Sequence, residues 1–171
     1  MKSSDSKRVH RVLVAEDDED DFSIFNLAIS SVPGSFEILH TTDGVMFSSL
    51  IQSAMKTDVI FLDINMPYKD GFSCLKEIRN SPDYKLTRVV MYSTSSNIND
   101  IERSFDLGAN FYLVKPTNFT EIVNQLEQVF NNEYFLKNLP APRSQFVVKA
   151  TNDKDTIKGI GIGYEAFAAR C

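Results

Sequence analysis

The stretch DVIFLDINMP, residues 58–67, decides how the chain is read. Val59, Ile60, Phe61 and Leu62 form an uninterrupted apolar run, and Asp63 follows it directly. Such a run bounded by polar residues predicts a strand buried on both faces, the pattern of a parallel sheet covered by helices. An acid at its end stands at the carboxyl edge of the sheet, where open α/β folds bind ligands.

Working outward from this strand, strand-like and helix-like segments alternate. RVLVA (11–15), FEILHTT (36–42), RVVMY (88–92) and NFYLV (110–114) are the other strand candidates. Phe22, Phe25, Ala28, Ile29 and Val32 fall at helical spacing, and Pro33–Gly34 ends that helix. Asp43 is a suitable N-cap for a helix that lines up Met46, Phe47, Leu50, Ile51 and Ala54. A loop with Pro67 and Gly71 precedes a helix that turns Phe72, Leu75 and Ile78 inward. SPDYKLT (81–87) is a polar connection, and a helix over 98–107 stops at Gly108. FTEIVNQLEQVF (119–130) has the cleanest periodicity, through Phe119, Ile122, Val123, Leu126, Val129 and Phe130.

Five strand–helix units in strict alternation predict an α/β fold with helices on both faces of a parallel sheet. Right-handed crossovers leave few topologies, and the leading one is a flavodoxin-like, doubly wound (βα)5 fold. Its five strands run in the order 2-1-3-4-5. The domain spans residues 9–132, after a flexible N-terminus at 1–8. Residues 133–171 do not continue the pattern and form a C-terminal extension of unassigned role. In it, NLPAPRSQ reads as a linker, FVVKA as a strand candidate and EAFAARC as a turn or two of helix, whereas GIGIGY is too glycine-rich for regular structure.

The 171 residues suffice for one domain with a sound core. The net charge of −5 argues against a nucleic-acid surface, so no direct DNA binding is expected. The extension is too short for a DNA-binding output domain and shows no recognition helix. No apolar run has the length of a membrane span, and the polar start MKSSDSKRVHR lacks the apolar core of a signal peptide. Cys74 and Cys171 show no metal or disulfide spacing. A reduced, cytoplasmic protein is expected. Cys74 reads as a packed thiol, and His10 and His40 as structural or solvated residues.

In the predicted topology the ends of strands 1 and 3 are neighbours. Strand 1 runs into Glu16 and Asp17, strand 3 into Asp63, so three carboxylates converge. Like charges so close repel unless a cation is present, and oxygen-only ligands suit a hard ion such as Mg²⁺. Asp18, Glu19, Asp20 and Asp21 read instead as a solvated, helix-capping turn. Strand 4 runs into Ser93, Thr94 and Ser95, and strand 5 into Lys115–Pro116, a bond open to either isomer. A hydroxyl and an ammonium at the acidic edge make a mixed pocket in which Lys115 can neutralise a carboxylate or hold a phosphoryl oxygen.

With VLVAEDDEDD, VIFLDINMPYKDG, VVMYSTSS and FYLVKP in this order, the chain from about Val9 to Phe130 resembles the receiver domain of two-component response regulators. It is further similar to the small single-domain regulators paired with phytochrome-like or hybrid kinases, although Arg88 stands where those usually begin strand 4 with proline. The resemblance implies a phosphoacceptor that receives a phosphoryl group on Asp63 from a sensor histidine kinase or phosphotransfer protein. It implies Mg²⁺ as cofactor, with Asp17 as direct ligand, Glu16 holding a metal-bound water and Asn65 offering its backbone carbonyl. Ser93 is then the switch hydroxyl, Lys115 the phosphate-binding lysine and Tyr112 an aromatic that swings inward on phosphorylation. Asn65 and Ser95 lie where an attacking water passes and would tune the phosphoryl lifetime. Such a protein is a switch rather than an enzyme, with self-phosphorylation and autodephosphorylation chemistry. Its output is a protein–protein contact, including a homodimer through the last helix and strand 5 or through the tail.

Three rivals are weighed against this reading. A non-phosphorylated pseudo-receiver would have lost the acid pair, the acceptor or the lysine, and this chain keeps them all. A haloacid-dehalogenase-like phosphatase needs a second aspartate where Asn65 stands. A flavodoxin needs a phosphate-cradling loop where this chain is acidic.

Overall fold

The structure is a computed structural model and describes residues 9–150. The expected N-terminal segment 1–8, GIGIGY, the helix at EAFAARC and Cys171 lie outside the described residues.

Six parallel strands form one sheet in the order β2-β1-β3-β4-β5-β6. They are β1 (Val9–Ala15), β2 (Ser35–Thr41), β3 (Val59–Leu62), β4 (Arg88–Ser93), β5 (Phe111–Val114) and β6 (Val147–Val148). The first five follow the expected order. The sixth is the strand candidate in FVVKA, which pairs Val147 with Tyr112 and Val148 with Leu113. The sheet therefore has six strands rather than five, because the extension returns to the β5 edge.

Alternation along each strand divides the core. Leu13, Ala15, Ile60 and Leu62 face α2 (Gly44–Gln52), α3 (Gly71–Asn80) and α4 (Ile98–Asp106), where Phe47, Leu75 and Ile101 meet them. Val12, Val14, Val59 and Phe61 face α1 (Glu19–Ser31) and α5 (Phe119–Asn131), where Phe25, Ile29, Leu126 and Val129 meet them. All four residues of β3 are fully buried, as the apolar run requires.

Helix ends follow local chemistry. Asp18 caps α1 by accepting from the Asp20 and Asp21 amides, so the helix begins before Phe22, where apolar periodicity starts. Asp43 caps α2 and Asp70 caps α3 in the same way. Gly108 takes φ +87° just past α4, the left-handed conformation that ends helices. Among the described residues no peptide bond is cis, so Lys115–Pro116 is trans.

The segment expected as a linker is ordered structure. α6 (Glu133–Leu136) precedes it, its last three residues begin α7 (Arg143–Phe146), and the stretch from α6 to β6 joins both halves of the core. Phe135, Ala141 and Val148 pack with the α1/α5 layer, Phe146 and Val147 with the α4 layer. Arg88 explains its place at the start of β4: its Nε donates to the Phe135 carbonyl at 2.6 Å and its guanidinium lies over the Phe135 ring. Proline offers neither contact. No helix among the described residues is long and apolar enough to cross a membrane.

Phe146 is fully buried between Phe105 and Tyr112, with ring centroids 5.1 and 6.4 Å away. Phe146→Ala is expected to lower unfolding free energy by about 3 kcal/mol, and a chain ending at residue 142 to lose at least as much, in urea titrations followed by circular dichroism. Wild-type midpoints for both would mean that the extension is not part of the folded unit.

Candidate functional site

The carboxyl ends of β1, β3, β4 and β5 meet beside the N-terminus of α1. Each side chain arrives there because an apolar strand stops: Glu16 and Asp17 after β1, Asp63 after β3, Ser93 as the last residue of β4, Lys115 after β5. Backbone bonds across the sheet fix these ends. Asp63 N donates to the Ala15 carbonyl at 3.0 Å, Lys115 N to the Ser93 carbonyl at 2.8 Å, and Glu16 N to the Thr41 carbonyl at 3.0 Å.

The loop after Asp63 is held tightly. Gly71 N donates to the Ile64 carbonyl at 2.9 Å. A β-carbon on Gly71 would lie 2.0 Å from the Asp63 carbonyl oxygen, so only glycine lets α3 start this close to the strand end. Ile64 and Met66 turn into the core, and exposed Asn65 donates its backbone N–H to Asp63 Oδ1 at 3.2 Å.

Lys115 is the centre of the charge arrangement. Its Nζ donates to Glu16 Oε2 at 2.5 Å, Asp63 Oδ2 at 2.9 Å and Asp21 Oδ2 at 2.9 Å. An ammonium has three protons, and each finds a carboxylate. The Tyr92 ring lies under it, with its centroid 5.4 Å from Nζ. Burial works against the lysine's charge, but the bonds to Glu16 and Asp63 outweigh it and hold its pKa above the ordinary range. Burial pushes the Glu16 carboxyl from 4.5 up to about 7, against the lowering pull of Lys115. Glu16 and Asp63 are buried, and Asp17 is exposed at the rim.

One oxygen from each of Glu16, Asp17 and Asp63 lies within 4.8 Å of the others. This all-oxygen donor set, in a pocket where acids outnumber the single lysine, fits a hard divalent cation. Asn65 keeps its backbone beside Asp63.

Ser93 is fully buried, and its Oγ lies 3.4 Å from the Ser95 amide. Ser95 donates its hydroxyl to Asp100 at 2.6 Å and accepts the Tyr112 hydroxyl on its carbonyl at 2.8 Å. Tyr112 is thus already inward and fully buried, with Phe146 beside it. An outward resting position, from which an inward swing would start, is not the conformation seen. The edge of β5, expected as part of a homodimer contact, is paired with β6.

Three contributors were not singled out from sequence. Asp21, grouped with the solvated turn, reaches Lys115, whereas Asp18, Glu19 and Asp20 do stay exposed. Its signal was the inward stripe of α1, since Asp21, Phe25 and Ala28 repeat at helical spacing once the helix starts at Glu19. Tyr92 was read only as strand. His40, read as structural or solvated, stacks on Phe22 at 3.6 Å and places Nε2 2.8 Å from the Glu16 carbonyl. A carbonyl only accepts, so that nitrogen carries the proton. Cys74 is buried and its thiol is pushed up to about 12 by desolvation, the state of an inert packed cysteine.

Comparison with known proteins agrees with this geometry. The chain is 27% identical over 146 residues to the response regulator Rcp1 of Synechocystis, covering 82% of this chain and 98% of that protein. The structure of the phosphorylated cyanobacterial phytochrome response regulator RcpA superposes with a TM-score of 0.68 at 29% identity, over 78% of this chain and all of that one. The Mn²⁺-bound form of Rcp1 superposes with a TM-score of 0.66 at 28% identity, over 72% of this chain and 96% of that one. The family model of the response regulator receiver domain matches residues 12–127, and the chain belongs to that family of two-component signalling proteins.

Proposed function

We propose that this receiver is a working phosphoacceptor, taking a phosphoryl group onto Asp63 from a sensor histidine kinase or a phosphotransfer protein and signalling through protein contacts. The observation that carries this reading is the shared contact of Lys115 with Asp63 and Glu16 beside an acid group able to hold a divalent ion. One Asp63 oxygen attacks phosphorus, and the bond to the donor's leaving atom breaks with its electron pair. Little other covalent chemistry is asked of the protein, so positioning and charge neutralisation carry the reaction. Mg²⁺, held by Asp17, Asp63 and the Asn65 carbonyl with Glu16 behind them, would neutralise charge among the acids and on the phosphoryl oxygens. Lys115 holds one phosphoryl oxygen as a point charge, and Ser93 donates its hydroxyl to another. RcpA is a phytochrome response regulator by its name, which guides the choice of donor, and a phytochrome-type kinase in the cytoplasm is the proposal for this chain.

The phosphoryl group adds about 1.5 to 2 negative charges beside buried Ser93. Ser95 and Tyr112 are linked to that point by hydrogen bonds. The output surface is α4, α5 and the extension that covers β5, and a homodimer on this face would dock against that cover. Asn65 and Ser95 tune the phosphoryl lifetime.

Intact-mass spectrometry after incubation with acetyl phosphate tests the acceptor. Wild type is expected to gain one phosphoryl group only with Mg²⁺, and Asp63→Asn none. No gain by the wild type would instead make the chain a non-phosphorylated interaction module.

Lys115→Met leaves its carboxylates without their buried partner and is expected to cost about 3 kcal/mol at pH 7 without divalent ions. The deficit has a definite pH sign. Glu16 loses the pull that lowers its pKa, so the folded variant takes up this proton at a higher pH than the folded wild type, while the unfolded chains bind it alike. Stability of the variant relative to wild type therefore rises as pH falls from above 7 toward 5. Equal melting-temperature deficits at pH 5 and pH 8 would contradict the assignment.

A further inference from the structure

Asp21 stands apart among the acceptors of Lys115. Its side chain is 40% exposed, against 3% for Glu16 and 7% for Asp63. It sits in the first turn of α1, at the mouth of the site rather than in its floor. The group after the metal-binding acid pair thus contains one carboxylate that touches the lysine without belonging to the metal-binding set.

We propose that Asp21 is a positioning residue acting through Lys115: it competes with the phosphoryl group for the ammonium and so limits how tightly that group is held on Asp63. The proposal rests on Asp63 being the phosphoacceptor. Two effects of the Asp21 charge have the same sign. It occupies one of the three N–H groups of Lys115 and offsets part of the cation's field. It also stands as an anion close to the position of an incoming anionic group. Removing the charge does not set the lysine adrift. Lys115 keeps its bonds to Glu16 and Asp63, its backbone bond to the Ser93 carbonyl and the Tyr92 ring beneath it. The Asp18 cap of α1 involves the Asp21 backbone amide and not its side chain, so the helix start also survives.

Relief of competition therefore outweighs loss of restraint. Asp21→Asn retains shape and an acceptor oxygen but loses the charge. It is expected to bind a phosphoryl mimic about three- to fivefold more tightly, the upper part of the range for one part-exposed ion pair. Asp21→Glu keeps the charge one methylene further out and is expected to stay within about twofold of wild type.

The test is titration of the full chain with fluoroberyllate in Mg²⁺, read by fluorine NMR of the bound fluorides, on wild type, Asp21→Asn, Asp21→Glu and Asp63→Asn. Thermal melts of each variant report folding separately. Support is a lower Kd for Asp21→Asn, rescue by Asp21→Glu, and a difference that shrinks as salt is raised to about 0.5 M. The proposal is overturned if Asp21→Asn binds no more tightly than wild type, or if Asp21→Glu behaves like Asp21→Asn. No binding by the wild type, or undiminished binding by Asp63→Asn, overturns the phosphoacceptor reading and this proposal with it.

Discussion

The contact on which the site depends is the ammonium of Lys115 set among the carboxylates of Glu16, Asp63 and Asp21. It joins the end of β5 to the ends of β1 and β3 and to the first turn of α1. Taking these charges out of water is costly, and an apolar filling of the same volume would serve stability as well or better. A buried arrangement of this kind is therefore a sign of chemistry rather than of structural need. The sheet supplies what the arrangement requires. With β1 between β2 and β3, and β4 between β3 and β5, the acid pair, Asp63, the serine and the lysine arrive at one edge from four different strands.

The other edge feature is the cover on β5. A strand at the side of a sheet exposes unpaired backbone groups and invites association. In many folds a charge or a bulge discourages this, and here the chain itself returns as β6. Arg88 and Phe135 hold α6 against the start of β4, and Phe146 fills the space between Phe105 and Tyr112. Arg143 lies over Phe105 and reaches Asp106, so the cover is tied to α4 as well. Among the described residues the sheet on this side consequently ends in a two-residue strand with its flanking helices.

Most of the receiver was legible in sequence because its signals are local. An apolar run followed by an acid fixes β3 and Asp63 together, and the period of FTEIVNQLEQVF leaves no doubt of α5. The start of α1 was less legible because Asp18, Glu19 and Asp20 carry no apolar period, and the cap rather than the stripe sets the boundary. The contact between Asp21 and Lys115 spans 94 residues of chain, so no local pattern contains it. The extension misled for a different reason. Prolines at 140 and 142 and a polar context describe a linker, whereas FVVKA reads as a strand; contacts with β5 and α4 bury Phe146, Val147 and Val148.

These features bear on how a change at Asp63 could be felt elsewhere. Ser93 ends the strand that pairs with β3, the Ser95 amide faces the Ser93 hydroxyl, Tyr112 donates to the Ser95 carbonyl, and Phe146 packs on Tyr112. Contiguity of this sort is not coupling, which requires an element with two arrangements that both ends bias. Tyr112 alone is a poor candidate, because its inward position is already occupied and its ring is closed off from solvent. The cover is a better one. It packs directly on Tyr112 through Phe146 and pairs with β5 through Val147 and Val148, so a change in the position of that ring would meet it first. A phosphoryl charge that draws Ser93 toward Asp63 would act on Tyr112 through Ser95. Its effect on the extension would then be limited by how differently Phe146 packs against the two positions of that ring.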